Sequence, residues 1–216
     1  MSRRFGVVAA LVSAFVLAPS VQASPVALQV SAFKHITFKN IPATTYSDAA
    51  GVLTMKVDKS SSVLVLPFDA ERTITNVKFS WRLNGVVSTK NAEHEKTKKG
   101  DDFPLRIGLM VSGPAPTVPF FAPAWIKAVR DSVKLPSDKL IYLVAGTKSA
   151  PGTTWESPYA SSIGTVALQS SPIAGSDWQA VDYRSEATKI TGIWVMADGD
   201  NTASSFTTEI RDLELN

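Results

Sequence analysis

Apolar residues along this chain come in short bursts that alternate with polar ones. Val77, Phe79, Trp81 and Leu83 alternate with Lys78, Ser80, Arg82 and Asn84. Leu105, Ile107, Leu109 and Val111 alternate with Arg106, Gly108 and Met110. A period of two sends successive side chains to opposite faces of an extended strand. Residues 62–68 and 140–145 are apolar on both faces, which predicts strands covered on both sides. Further bursts predict strands near 33–39, 51–57, 163–169, 178–184, 190–198 and 206–215. About ten strands joined by polar turns predict an all-β fold, an antiparallel β-sandwich or jelly roll.

Three segments interrupt the alternation. Residues 88–101 are almost wholly charged or polar and predict a solvated loop. Residues 112–123 are proline-rich, and 124–133 predict one short helix, with Pro123 at its start and Ile126, Val129 and Val133 on one face. In the last strand Phe206, Thr208 and Ile210 share a face, but Leu213 and Leu215 have the opposite parity. A bulge near Arg211 and Asp212 would let both sets reach one core.

The N-terminus follows a different plan. Arg3 and Arg4 precede an uncharged apolar run, Phe5 to Ala18, then Pro19 and Val21-Gln22-Ala23. This reads as a cleavable signal peptide over residues 1–23, leaving a single domain over 24–216 that is exported to the periplasm or outside the cell. The run falls short of the roughly 20 residues that span a bilayer. Phe5 follows the arginine pair directly, so the general secretory route fits better than the twin-arginine route.

Losing Arg3 and Arg4 reduces 22 basic residues to 20 against 19 acidic, a net charge of +1. No basic block remains to hold nucleic acid or an anionic membrane. The chain has no cysteine, so its core must hold it together without disulfides, and thiol or cysteine–zinc chemistry is excluded. His35 and His94 are too isolated for a zinc site, and no serine sits in a nucleophile elbow.

Candidate chemistry gathers in two acidic strings. Asp198-Gly199-Asp200-Asn201-Thr202 offers oxygens at alternate positions, as a calcium ion wants, and Glu209 falls at position twelve counted from Asp198. Position six is Ala203 where a helix–loop–helix calcium loop needs glycine, and the flanks are strands. A tight turn held by Asp and Asn side chains is the simpler reading. In the second string, Asp101 and Asp102 are adjacent and point to opposite faces, so they cannot face each other as a glycosidase pair does. A catalytic partner would have to be Asp182 or Asp198, whereas the structural alternative pairs one acid with Arg82 or Arg106. Among five tryptophans, Trp81 is expected in the core; Trp155, near Tyr159 in a turn-rich segment, and Trp178 are candidate platforms for a sugar ring. Phe120, Phe121 and Trp125, near four prolines, offer an apolar contact patch or a packed loop.

Taken in order, Thr45-Tyr46, Trp81-Arg82, Lys99-Gly-Asp-Asp-Phe103 with Arg106, Leu135-Pro136 with Tyr142, Ser157-Pro-Tyr159, Trp178, Asp182-Tyr183 and Asp198-Gly-Asp-Asn-Thr202 resemble a family of secreted bacterial proteins, domain of unknown function 3047. The resemblance implies a galactose-binding-like jelly roll. In that class a structural calcium often ties the first strands to the last, and Asp212 resembles its acidic ligand. The ligand-binding candidates are then Trp155, Trp178, Tyr159, Asp101, Asp102, Arg106, Asp182, Asp198, Asp200 and Asn201. If the acids approach Arg82, Arg106 and Arg184, one polar cluster would floor a cleft or pin loops. The expectation is a non-catalytic binding module for a glycan or cell-envelope component. An envelope assembly role comes second. A glycan hydrolase comes third, because no nucleophile, base and orienter can be assembled from the spacing.

Overall fold

A computed structural model describes residues 24–115, 117, 124–159, 166–169 and 177–216. The predicted signal peptide and the Phe120-Phe121 pair lie outside the described residues, and the strand expected near 163–169 is described over Val166–Gln169.

The backbone of the fold is a ribbon of two long strands. β5 (Ser62–Gly85) and β10 (Gln179–Met196) run antiparallel to each other over almost their whole length. Each joins bursts that the sequence pattern separates: 62–68 with 77–83, and 178–184 with 190–198. Register shifts between Arg184 and Thr188 and between Ile190 and Gly192 bend the ribbon, so its two ends serve two different layers.

At one end, β11 (Ser205–Leu215) pairs with β5, β4 (Val52–Asp58) with β11, and β3 (Thr45–Ala49) with β4. The short β1 (Ser24–Pro25) adds to β11. At the other end, β2 (Lys34–Thr37) pairs with β5 and β6 (Leu105–Ser112) with β10. β7 (Ser137–Ala145), β9 (Val166–Gln169) and β8 (Thr154–Glu156) extend that layer, β7 and β9 in parallel and the other pairs antiparallel. Leu53, Met55, Trp81, Phe206 and Ile210 from the first layer share a buried cluster with Leu64, Ile107, Leu109, Ile193 and Val195 from the second. That shared interior makes the all-β sandwich.

The second layer is buried on its outer face as well, which explains why 62–68 and 140–145 are apolar on both sides. Val63, Val65, Met110, Tyr142, Val144, Trp194 and Met196 form a second cluster there, covered by Trp125, Val129 and Val133. These come from the predicted helix, α2 (Ala124–Ser132), and its end. Gly108 sits beneath this cover because a Cβ there would fall 2.9 Å from the Cβ of Trp194. Tyr142 and Trp194 meet edge to face over it, 5.8 Å between ring centres.

Two local expectations have instructive outcomes. The bulge in β11 is present: Arg211 faces Ser80 and Glu214 faces Lys78, one extra residue on β11, and Asp212 takes a positive φ of 54°. Ile210, Leu213 and Leu215 consequently all reach the shared core. Residues 88–101, by contrast, are more than a solvated loop. They contain a one-turn helix, α1 (Ala92–Glu95), and Glu95 is buried. Its carboxylate accepts hydrogen bonds from the backbone N–H groups of Lys148 and Ser149 at 2.5 and 3.3 Å and from Ser149 Oγ at 3.1 Å. The charged segment is thereby tied to the turn after β7.

Candidate functional site

The two acidic strings meet where β10 and β6 end. Met196 is paired with Arg106, so two residues beyond Met196 the chain brings Asp198 to the same face, beside the segment entering β6. Asp198 Oδ1 accepts from Phe103 N at 3.0 Å and from Arg106 Nε at 3.3 Å, and Oδ2 accepts from Arg106 Nη2 at 2.7 Å. Arg106 Nη1 reaches Asp101 at 3.3 Å, and Nη2 also donates to the Asp101 carbonyl. Arg106, Asp101 and Asp198 are all at least 95% buried. The alternation pattern placed Arg106 on an outer face; that face is covered, and the guanidinium survives there because two carboxylates meet it.

Asp102 turns the other way and holds the Asp198–Thr202 loop. One of its oxygens accepts from Asn201 N and Nδ2 at 3.3 and 3.0 Å, the other from Thr202 N and Oγ1, both at 2.6 Å. The loop is further tied by Gly199 N to Ser60 O at 3.0 Å and by Ser204 N to Gly199 O at 2.8 Å. Glycine is needed at 199 for that close approach, since a Cβ would lie 2.7 Å from Ser204 O; the positive φ in the loop belongs to Ala203 instead. Behind it lies a layer of buried hydroxyls, of which the sequence motifs include only Tyr46. Thr44 Oγ1 donates to Ala197 O at 3.1 Å, and Tyr46 OH donates to Ser62 O at 2.6 Å. Besides Tyr46 in the Thr45-Tyr46 motif, their sequence signal is the run Ser60-Ser61-Ser62 opening an otherwise apolar strand.

Carboxyls crowd one guanidinium, and the proton affinities of Asp198, Asp101 and Asp200 respond. Burial, reinforced by Asp102 and Asp101 against the pull of Arg106, pushes Asp198 up to about 8. Burial also raises Asp101, opposed by Arg106, and raises Asp200, with Asp102 adding to it. Arg106 loses stabilisation of its charge through burial, yet Asp101 and Asp198 more than restore it, so it stays protonated.

Above this buried layer sits the accessible part. Tyr159 is 48% exposed. Its hydroxyl lies 2.6 Å from Asn201 Oδ1 and 2.9 Å from Lys98 O, so one proton serves two acceptors. Lys98 Nζ lies 5.5 Å from the ring centre. Burial and the four nearby aspartates push the phenol up to about 12. Trp155 is half-buried, its ring 6.0 Å from that of Phe103.

Other sequence candidates stand elsewhere. Asp182 faces Lys78 in the other layer, with Lys78 Nζ at 3.9 Å and Arg184 Nε at 3.6 Å, and also bonds Asn76. Trp178 lies in that layer too, its ring 4.7 Å from the Arg82 guanidinium and 4.1 Å from that of Arg211. Arg82 pairs with Glu209. Of the three arginines considered for the polar cluster, Arg106 alone joins it. Asp212 is exposed at the β11 bulge, 3.2 Å from Arg211 Nε.

Among the described residues, Asp102, Asp198 and Asp200 form the one group of acids able to converge on a cation, one oxygen of each lying within 4.8 Å of the others. Both oxygens of Asp198 and both of Asp102 already accept hydrogen bonds from protein donors, and Arg106 supplies the counter-charge. The donor set is that of an internally satisfied ion network, not a vacant calcium cage.

A family described as "Protein of unknown function (DUF3047)" matches residues 31–214. The chain belongs to the DUF3047 family. No curated protein matches it. The DUF3047 match runs from the segment before β2 to the end of β11, so it takes in both acidic strings and every sandwich strand except β1. No helix among the described residues is long and apolar enough to cross a membrane.

Proposed function

We propose that this DUF3047 protein is an exported, non-catalytic binding module whose ligand is a glycan or another polar component of the cell envelope. The reading rests on one observation: an exposed aromatic ring, Tyr159, is held in place by hydrogen bonds above a buried ion network, with Asn201, Asp200 and the Lys98 carbonyl beside it. A ring face for the apolar side of a pyranose, bordered by amide and carboxylate groups for its hydroxyls, is the arrangement that sugar recognition uses. The buried acids support binding over hydrolysis. Asp198 has the raised proton affinity of a general acid, but it is 3% exposed and spends both oxygens on Arg106 and Phe103. A catalytic acid must reach a substrate oxygen, and this one reaches only protein. The network instead fixes the loop that carries Asp200 and Asn201, so that little ordering entropy remains to be lost on binding.

A glycan array probed with the processed protein and with Tyr159→Ala tests this. Binding that Tyr159→Ala removes while the circular dichroism spectrum and melting temperature stay unchanged is the expected result. A flat array for both proteins, or hydrolysis of an arrayed glycan, would overturn it.

A further inference from the structure

The Tyr159 hydroxyl meets two acceptors from distant parts of the chain, and each acceptor has to be held in place. Asn201 is held by Asp102. The Lys98 carbonyl belongs to residues 90–100, and Lys98 itself is exposed. This segment is well tied within itself. Asn91 Oδ1 accepts from His94 N at 2.9 Å, and Thr97 N and Oγ1 donate to His94 O at 3.1 and 2.8 Å. Gly100 N donates to Thr97 O at 3.0 Å. These bonds are local, so they set the shape of the segment and not its position. Among the described residues, Glu95 is the only side chain of the segment whose hydrogen bonds leave it. They go to Lys148 and Ser149.

Lys148 and Ser149 sit in the turn after β7, and the chain runs from there through β8 to Tyr159. Glu95 therefore joins the segment that carries the acceptor to the segment that carries the ring. At 1% exposed it cannot touch a ligand itself. A carboxylate suits this place because it accepts from two backbone N–H groups and a hydroxyl at once, and bonds to a charged acceptor are the stronger kind. We propose that Glu95 is the positioning residue of the Tyr159 surface. It sets where the Lys98 carbonyl stands, and through that bond it sets the orientation of the exposed ring. Without Glu95 the hydroxyl keeps Asn201 but loses its fixed second acceptor, so the ring is no longer held in one orientation. What this does for a ligand rests on the glycan reading; the placement of the ring does not.

The chain has four tyrosines, so proton–carbon spectra of the intact processed protein with ¹³C-labelled tyrosine rings read the placement directly. Tyr159→Phe assigns the signal. Glu95→Ala should shift or broaden the Tyr159 signal and leave those of Tyr46, Tyr142 and Tyr183 in place. Glu95→Gln keeps one acceptor oxygen and should return the signal most of the way. Ser149→Ala deletes only the hydroxyl donor and should move the same signal less. That milder change carries the test if Glu95→Ala does not fold. Affinity for a glycan found to bind at Tyr159 should fall about threefold to tenfold in Glu95→Ala, because the ring must then be ordered on binding. A Tyr159 signal unmoved in the folded variants would overturn the proposal. So would four tyrosine signals that move together, the mark of general loosening. A displaced ring beside a flat glycan array would sink the glycan reading and leave this assignment standing.

Discussion

Arg106→Met puts the buried ion network to its hardest test. The arginine supplies the counter-charge for Asp101 and Asp198 through Nη1 at 3.3 Å and Nη2 at 2.7 Å, all three groups being almost wholly buried. Methionine fills much of the same volume but leaves both carboxyls facing a low-dielectric interior, Asp198 keeping only the Phe103 N–H. Breaking a buried pair in this way costs about 3–5 kcal/mol. In a domain of this size that lowers the melting temperature by about 10 °C, at roughly 2–4 °C per kcal/mol. The loss has a pH signature. Without the guanidinium, Asp101 and Asp198 gain still more from protonation, so the deficit should shrink on going from pH 7 to pH 5. Urea unfolding followed by tryptophan fluorescence at both pH values measures it, and Arg106→Lys, which keeps charge but not the fork, should fall in between. A loss under about 1 kcal/mol at pH 7, outside the range for a severed buried pair, would refute the reasoning. A deficit that grows on acidification would do the same.

Other predictions follow from the same contacts. Burial holds the proton affinity of Asp198 above its unfolded value of about 3.9, so its contribution is fully present below the unfolded pKa and is lost as pH rises through the raised value. Asp101 and Asp200 act in the same direction, and Asp198→Asn should flatten the stability profile between those limits, as read by unfolding at a series of pH values. Asp102→Ala removes the acceptor for four donors of the 198–202 loop and should speed amide exchange of Asn201 and Thr202 by at least tenfold, since each lost bond is worth about 1 kcal/mol. Glu95→Ala removes the acceptor of the Lys148 amide and of the Ser149 hydroxyl and should cost about 1–3 kcal/mol in thermal unfolding despite its place in a charged segment. Asp212→Gly should be neutral or stabilising by up to about 1 kcal/mol, because the bulge holds residue 212 at a positive φ.

What could be read from sequence follows a physical boundary. Alternation is a local property, so strand faces, the two-sided burial of 62–68 and 140–145, the helix after Pro123 and the bulge between Ile210 and Leu213 were legible. Long-range register was not. Whether 62–68 and 77–83 form two strands or one bent ribbon depends on β10 pairing with both. Register also decides the polar cluster. Asp182 and Asp198 lie on the same strand and its exit, but opposite ends of a long ribbon serve different layers, so only Asp198 meets Arg106. Glu95 was invisible for the converse reason. Its surroundings in sequence are charged, and only the fold brings the Lys148-Ser149 turn to it.

We propose a division of labour: Asp102, Arg106 and Asp198 hold the loop, while Tyr159, Asn201 and Asp200 face the ligand. Chemical-shift mapping of the ¹⁵N-labelled protein, titrated with a glycan selected from an array, addresses both halves at once. Perturbations confined to residues around 98, 159 and 200–202, with the Arg106 guanidinium signals unmoved, are the expected result. Perturbation centred on Arg106 and Asp198, or on the Trp178 face of the other layer, would contradict it.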